Sequence, residues 1–158
     1  MTGMTALIVA AGRGRRAGRG LPKQYRTLAG LPVLRRACLA FLGHPRVNSV
    51  RVVINPTDRA HYDTAVAGLH LPEPVAGGES RQESCLRGLE ALAAGTAPDS
   101  VIIHDAARPF VDAATIGRVI DALDSSPAVI AGVPVTDTLK RVESGGRVAT
   151  TVERAGLW

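Results

Sequence analysis

The sequence predicts a doubly wound α/β fold, a mostly parallel sheet with helices on both faces. Three observations predict it. Short apolar runs at 6–10, 50–54 and 101–104 have the length and composition of buried strands. Stretches with apolar residues at helical spacing separate them. Glycines and prolines mark the changes from one pattern to the next. Strands that alternate with helices build parallel sheets.

Taken in order, Ala6 to Ala10 form the first strand, which ends at Gly12. A loop from Gly12 to Pro22 follows. Pro32 opens a helix with Val33, Leu34, Ala37, Cys38 and Phe41 on one side, closed by Gly43 and Pro45. Val50 to Ile54 form a second strand, stopped by Pro56, and a helix is expected from Asp58 to Val66. Gly68 to Pro74 is connection, with a short strand near Val75. Gly77-Gly78 leads into a helix from Ser80 to Ala94, with Leu86, Leu89 and Leu92 expected on its core side. Val101 to His104 form another strand, and Asp112 caps a helix carrying Ile116, Val119, Ile120 and Leu123. A further strand is expected from Ala128 to Val133. Beyond Pro134, Val135 to Val142 and Val148 to Val152 flank Ser144-Gly145-Gly146, the pattern of a β-hairpin. Its polar content predicts a projecting arm over 135–154 within one Rossmann-like domain, 1–158.

Composition narrows the class. A chain of 158 residues suits one domain, and 46% hydrophobic with 21% charged residues excludes a disordered chain. Cys38 and Cys85 are the only cysteines, with no CxxC and no nearby histidine pair. That excludes a disulfide-stapled scaffold, disfavours structural zinc and points to a reducing compartment. The apolar run 6–11 is too short to span a membrane, and it precedes its arginines, the reverse of a signal peptide. The expectation is a cytoplasmic protein with no membrane partner.

The net charge of +5 is unevenly distributed. No acidic residue precedes Asp58, while Arg13, Arg15, Arg16, Arg19 and Lys23 crowd the first glycine loop. Such a basic stretch suits a polyanion: a nucleotide, a phosphorylated metabolite, a nucleic acid or a membrane surface. Aromatic residues are 3%, a poor supply for stacking single-stranded nucleic acid, so no nucleic-acid partner is expected.

The loop Ala10-Ala11-Gly12-Arg13-Gly14-Arg15-Arg16-Ala17 carries the strongest signal. Gly12 and Gly14 allow backbone N–H groups to approach phosphate closely, beside a strand end where ligands of open α/β sheets bind. The spacing also fits a dinucleotide fingerprint, but Gly18, Gly20 and Pro22 interrupt the required helix. The ribose-binding carboxylate is also missing, because no acidic residue occurs before Asp58. A Walker A loop is absent. Arginines with Lys23 suit a nucleoside triphosphate. Asp105, in His104-Asp105-Ala106-Ala107-Arg108-Pro109, falls at a strand end, where a carboxylate beside phosphates can hold Mg²⁺; a plain turn cap paired with Arg108 is the alternative. His104 reads as a packed residue rather than a base. Gly77-Gly78-Glu79-Ser80-Arg81 with Ser84 could admit a planar base, or simply enter a helix.

Five segments together resemble the 2-C-methyl-D-erythritol 4-phosphate cytidylyltransferase family of the non-mevalonate isoprenoid pathway. They are A-A-G-R-G-R-R with P-K-Q, G-G-E-S-R-Q-E-S, H-D-A-A-R-P, V-T-D-T-L-K and T-V-E-R-A-G-L-W, in family order. The resemblance implies transfer of a cytidylyl group from CTP to the polyol phosphate, with Mg²⁺ and release of pyrophosphate. It implies that Ala10, Ala11, Gly12 and Gly14 line the triphosphate and that Arg16 and Lys23 stabilise the transition state. It places Gly78 and Ser84 on cytosine, Asp105 at the ribose and metal, and Ala106 in the nucleotide site. Arg108, Thr138 and Arg154 would hold the substrate phosphate, the last two across a homodimer joined by the arm. Family members continue beyond G-L-W with a further substrate-binding lysine and the last sheet and helix elements. A chain of this length is therefore expected to bind CTP–Mg²⁺ and turn over poorly. The same signature leaves open another polyol phosphate, such as ribitol 5-phosphate. From other classes come a nicotinamide-dependent oxidoreductase and a basic nucleic-acid module.

Overall fold

A computed structural model describes residues 3–12 and 20–158. The chain divides into two compact units, Met1–Arg118 and Val119–Trp158.

The first unit is built on four parallel strands: β1 (Met4–Ala10), β4 (Ser49–Ile54), β5 (Val75–Ala76) and β6 (Ser100–Asp105). Their spatial order is β5-β4-β1-β6. The chain thus grows from β1 towards one edge and then returns to the other side of β1. A small antiparallel ribbon, β2 (Thr27–Leu28) with β3 (Leu31–Pro32), turns at Ala29 and Gly30, both at positive φ.

Residues alternate between the two faces of the sheet. On one face Ile8 stands beside His104 in register, and the ring of Phe41 from α1 (Val33–Leu42) lies 4.9 Å from the His104 ring. Leu34, Ala37, Cys38 and Phe41 are the buried side of α1, as their spacing predicts. Burial pushes the Cys38 thiol up to about 12, so it is a packed group rather than a nucleophile. On the opposite face Leu7, Ala11 and Val53 form a cluster with Val75, Leu92 and Val101. There α3 (Arg81–Ala93) packs through Gly88: a Cβ at 88 would lie 2.7 Å from a Leu7 methyl and 2.9 Å from a Val53 methyl. Helices therefore cover both faces, as expected.

The expected core side of α3 is corrected. Leu86 and Leu89 are exposed, and the buried residues are Ser84 and Gly88, with Leu92 partly buried. The helix approaches the sheet so closely that only small residues fit at its centre. Ser80 caps it, its Oγ accepting the Glu83 N–H at 3.0 Å. Two helices match the expected spans: α2 (Arg59–Ala65) and α4 (Ala113–Leu123), the latter capped where Asp112 Oδ1 accepts the Thr115 N–H at 2.7 Å. Among the described residues, no helix is long and apolar enough to cross a membrane.

The second unit holds the antiparallel hairpin β7 (Lys140–Val142) and β8 (Val148–Thr151). Its strands are shorter than the sequence predicts. Gly145 and Gly146 turn it at positive φ, the conformation glycine adopts without strain. The expected strand over Ala128–Val133 does not form, and Ile130 and Val133 are exposed. An apolar run becomes a strand only where another strand pairs its N–H and C=O groups, and none among the described residues does so.

Candidate active site

The strand order reverses between β1 and β6, and a cleft of about 970 Å³ opens at the carboxyl ends of the strands. This is where open α/β sheets bind ligands. Each strand delivers one part of the lining. β1 ends at Ala10 and leads to Ala11 and Gly12; β4 leads to Asn55; β5 leads to Gly78; β6 ends at Asp105 and leads to Ala106. Lys23, Gln24, Ser84 and Arg108 complete it. Nine expected site residues thus share one cleft: Ala10, Ala11, Gly12, Lys23, Gly78, Ser84, Asp105, Ala106 and Arg108. Gly14 and Arg16 lie outside the described residues. Thr138 and Arg154 belong to the second unit, where the Arg154 guanidinium donates to the Thr136 carbonyl.

Gly12 is exposed, and among the described residues a Cβ there would meet nothing within 4 Å. Lys23 begins a 3-10 turn, Lys23–Tyr25, entered through Pro22. Gln24 on that turn is buried; its Nε2 donates to the Ala10 carbonyl at 2.7 Å and the Gly12 carbonyl at 3.0 Å.

Gly77 and Gly78 must be small for different reasons. A Cβ on Gly77 would fall 2.4 Å from the Ala11 Cβ, because the two chains pass side by side. A Cβ on Gly78 would fall 2.2 Å from Glu83 Cδ. The expected reason at Gly78, room for a planar base, is joined by this nearer one. Glu83 accepts the Glu79 N–H at 2.8 Å and pairs with Arg87 at 2.6 Å, while Arg87 donates to the Gly77 carbonyl at 2.9 Å. The Glu79 N–H, the largest cause, holds the Glu83 carboxyl below its ordinary value. The buried Ser84 hydroxyl accepts the Gly78 N–H at 3.1 Å and donates to the Ser80 carbonyl at 2.8 Å. One acceptor lone pair of Ser84 Oγ remains for a ligand N–H.

Asp105 sits between two guanidiniums. Arg81 Nε donates to Oδ1 at 2.9 Å, and Arg108 Nε to Oδ2 at 3.0 Å. Burial pushes the carboxyl up, but these two arginines outweigh it and hold it below the usual carboxylate value. The turn that carries it is tied down by Ala106 N–H to the Val9 carbonyl at 3.0 Å and Arg108 N–H to the Asp105 carbonyl at 3.0 Å. His104 Nε2 lies 2.9 Å from the Arg108 carbonyl, so that nitrogen is the donor. Burial lowers the His104 pKa and keeps the ring neutral, in keeping with a packed residue.

Among the described residues, no group of three or more His, Cys, Asp or Glu side chains could cage a metal. Asp105 alone, with one lone pair free on each oxygen, fits a Mg²⁺ ion held mainly by phosphates. The sequence reading did not assign Gln24, Asn55 or Arg81. Asn55 was signalled by its place just after a strand, and Arg81 by its place in the G-G-E-S-R segment. Nothing along the chain shows that Arg81 meets Asp105, 24 residues away.

The model of the family described as IspD, 2-C-methyl-D-erythritol 4-phosphate cytidylyltransferase, matches residues 4–158. A relative named bifunctional enzyme IspD/IspF, from Paramagnetospirillum magneticum, is 55% identical over 158 residues, covering 100% of this chain and 41% of the relative. One of the same name from Rhodospirillum rubrum is 53% identical over 159 residues, covering 100% and 41%. The chain thus spans about two fifths of the length of these relatives. A solved 4-diphosphocytidyl-2C-methyl-D-erythritol synthase superposes with a TM-score of 0.83 at 30% identity, covering 100% of this chain and 71% of that one. The Francisella tularensis 2-C-methyl-D-erythritol 4-phosphate cytidylyltransferase superposes with a TM-score of 0.72 at 27% identity, covering 96% and 66%. With site residues gathered at its strand ends and a family model that matches nearly its whole length, the chain belongs to the 2-C-methyl-D-erythritol 4-phosphate cytidylyltransferase family.

Proposed function

We propose that the cleft transfers a cytidylyl group from CTP to 2-C-methyl-D-erythritol 4-phosphate. The products are pyrophosphate and 4-diphosphocytidyl-2-C-methyl-D-erythritol. One observation carries this reading: Lys23, the Arg81–Asp105–Arg108 group and the Gly78–Ser84 turn line one cleft with the strand end at Ala10–Gly12. A phosphate oxygen of the polyol phosphate attacks the α-phosphorus of CTP, and the bond to the bridging oxygen of pyrophosphate breaks. The attacking phosphate is already ionised, so no general base is needed, which suits a cleft whose lining includes no histidine among the described residues. Catalysis then consists of alignment and charge neutralisation. The N–H groups of the first loop and Lys23 take the triphosphate, with Arg16 in the same role from its sequence position. The Gly78–Ser84 turn takes the pyrimidine, and Arg108 takes the polyol phosphate. Mg²⁺, held by Asp105 and the phosphates, would supply further neutralisation of the triphosphate.

A nicotinamide-dependent oxidoreductase is disfavoured because the second parallel strand ends at Asn55 rather than at a ribose-binding carboxylate. The same reading makes Thr138 and Arg154 contributors to the site of a second copy through the hairpin arm. It places the protein in the reducing cytoplasm, in keeping with two free cysteines. The test is pyrophosphate release with Mg²⁺ from CTP, UTP and ATP, each with methylerythritol phosphate or ribitol 5-phosphate. CTP with methylerythritol phosphate should be the fastest pair; a preference for ribitol phosphate would reassign the acceptor. Mixing Lys23→Ala with Arg154→Ala variants of a complete enzyme should restore some of the activity that neither shows alone. No rescue after verified subunit exchange would place both residues in one copy's site.

A further inference from the structure

Gln24 is 4% exposed, although it lines the cleft; it lies between exposed Lys23 and buried Tyr25 on a 3-10 turn. Its amide nitrogen has two N–H groups, and both are used, one on the Ala10 carbonyl at 2.7 Å and one on the Gly12 carbonyl at 3.0 Å. The amide oxygen can donate to neither, so the bonds also fix which way the amide points. A trans peptide is planar, with its C=O and N–H pointing in opposite directions. With the Ala10 carbonyl drawn to Gln24, the Ala11 N–H faces away from that side chain. The Ala10 and Gly12 carbonyls, the negative ends of their peptides, are held by donors and cannot swing to meet an incoming anion.

The same residue follows Lys23 directly. The turn is closed by the Tyr25 N–H on the Pro22 carbonyl at 3.0 Å and the Arg26 N–H on the Lys23 carbonyl at 3.2 Å. Movement of Gln24 therefore moves Lys23. We propose that Gln24 is a positioning residue: its two hydrogen bonds set the peptide planes of the phosphate-binding backbone and hold Lys23 in register with them. The inference rests on the nucleotide-transfer reading and deepens it, because it says what turns Ala10–Gly12 into an anion site.

The discriminating variant is Gln24→Glu, the same shape without a donor when ionised. At pH 8 the introduced carboxylate faces two carbonyl oxygens. Protonation gives it one O–H donor and restores one of the two bonds. CTP binding is measured by calorimetry from pH 6 to pH 8, beside wild type and Gln24→Met, and each protein is melted. Losing both bonds should weaken CTP binding at least about tenfold at pH 8 in either variant. For Gln24→Glu alone, the deficit relative to wild type should shrink at least about threefold by pH 6. Turnover in both variants should show kcat falling together with CTP affinity, since Lys23 shifts too. A folded Gln24→Glu protein that binds CTP within about threefold of wild type at pH 8 overturns the proposal. So does a deficit with no pH response beyond that of Gln24→Met, which would mark Gln24 as filler. Should Gln24→Glu fail to fold, Gln24→Met decides: at least about tenfold weaker binding supports the proposal and unchanged binding overturns it. If wild type binds no CTP, the nucleotide reading and this inference both fall; if wild type binds and the variants match it, only the role of Gln24 falls.

Discussion

Asp105→Asn separates a structural carboxylate from a functional one. In the structure Asp105 accepts from Arg81 at 2.9 Å and Arg108 at 3.0 Å, but its side chain is 32% exposed and theirs are 62% and 76%. Pairs this open to solvent contribute about 0.2–1 kcal/mol each. Burial works against the same charge, and asparagine still offers one oxygen to one arginine. The substitution should therefore cost about 0–1 kcal/mol at pH 7, a melting shift of no more than about 4 °C. On the proposed reading turnover should fall at least about 10²-fold, because the arginines lose the group that aims them and a phosphate-bound cation would lose its carboxylate. The acid limb follows from the direction of the pKa shift. A carboxyl held below its unfolded value of about 3.9 adds stability above that pH and loses it as pH falls through the lower folded value. The stability gap between wild type and variant should thus narrow as pH falls below the unfolded value of about 3.9. Urea unfolding at pH 7 and pH 3, with pyrophosphate release at pH 7, tests both halves. A loss above about 2 kcal/mol would make Asp105 a structural keystone. Turnover within about threefold of wild type would remove it from the chemistry.

Lys23→Ala should lower kcat about 10²-fold with a much smaller change in CTP affinity; a rise in KM at constant kcat would make Lys23 a binding residue only. Gly78→Val should weaken CTP binding by driving Glu83 off the Glu79 N–H and Arg87. Adding Glu83→Ala removes that clash, and calorimetry then tells whether the valine still blocks the base: recovered binding would clear the base slot. Gly88→Ala gains about 1 kcal/mol of helix propensity but overpacks Leu7 and Val53 at a cost of about 1–3 kcal/mol. A urea midpoint clearly above wild type would contradict so close a helix–sheet approach.

The sequence by itself determined the parallel α/β class, the ends of most elements and most of the residues gathered at the strand ends. These are local properties: apolar runs for β1, β4 and β6, a serine cap at Ser80, a glycine pair at the hairpin turn, and Asp105 where a strand stops. It also named nine of the residues that line the cleft. Tertiary structure alone decided the rest, because those properties depend on what lies across from a residue rather than beside it. Leu86 and Leu89 have core spacing yet face solvent, since the sheet approaches α3 at Gly88 too closely for a leucine. The run 128–133 has strand composition but pairs with no strand among the described residues. The β5-β4-β1-β6 order, which sets the cleft between β1 and β6, is a choice of partners invisible to periodicity. Arg81 meets Asp105, and Gln24 meets Ala10 and Gly12, only once those strand ends are side by side. Periodicity reports which way a side chain faces, but hydrogen-bond partners and close approach are fixed by distances across the fold.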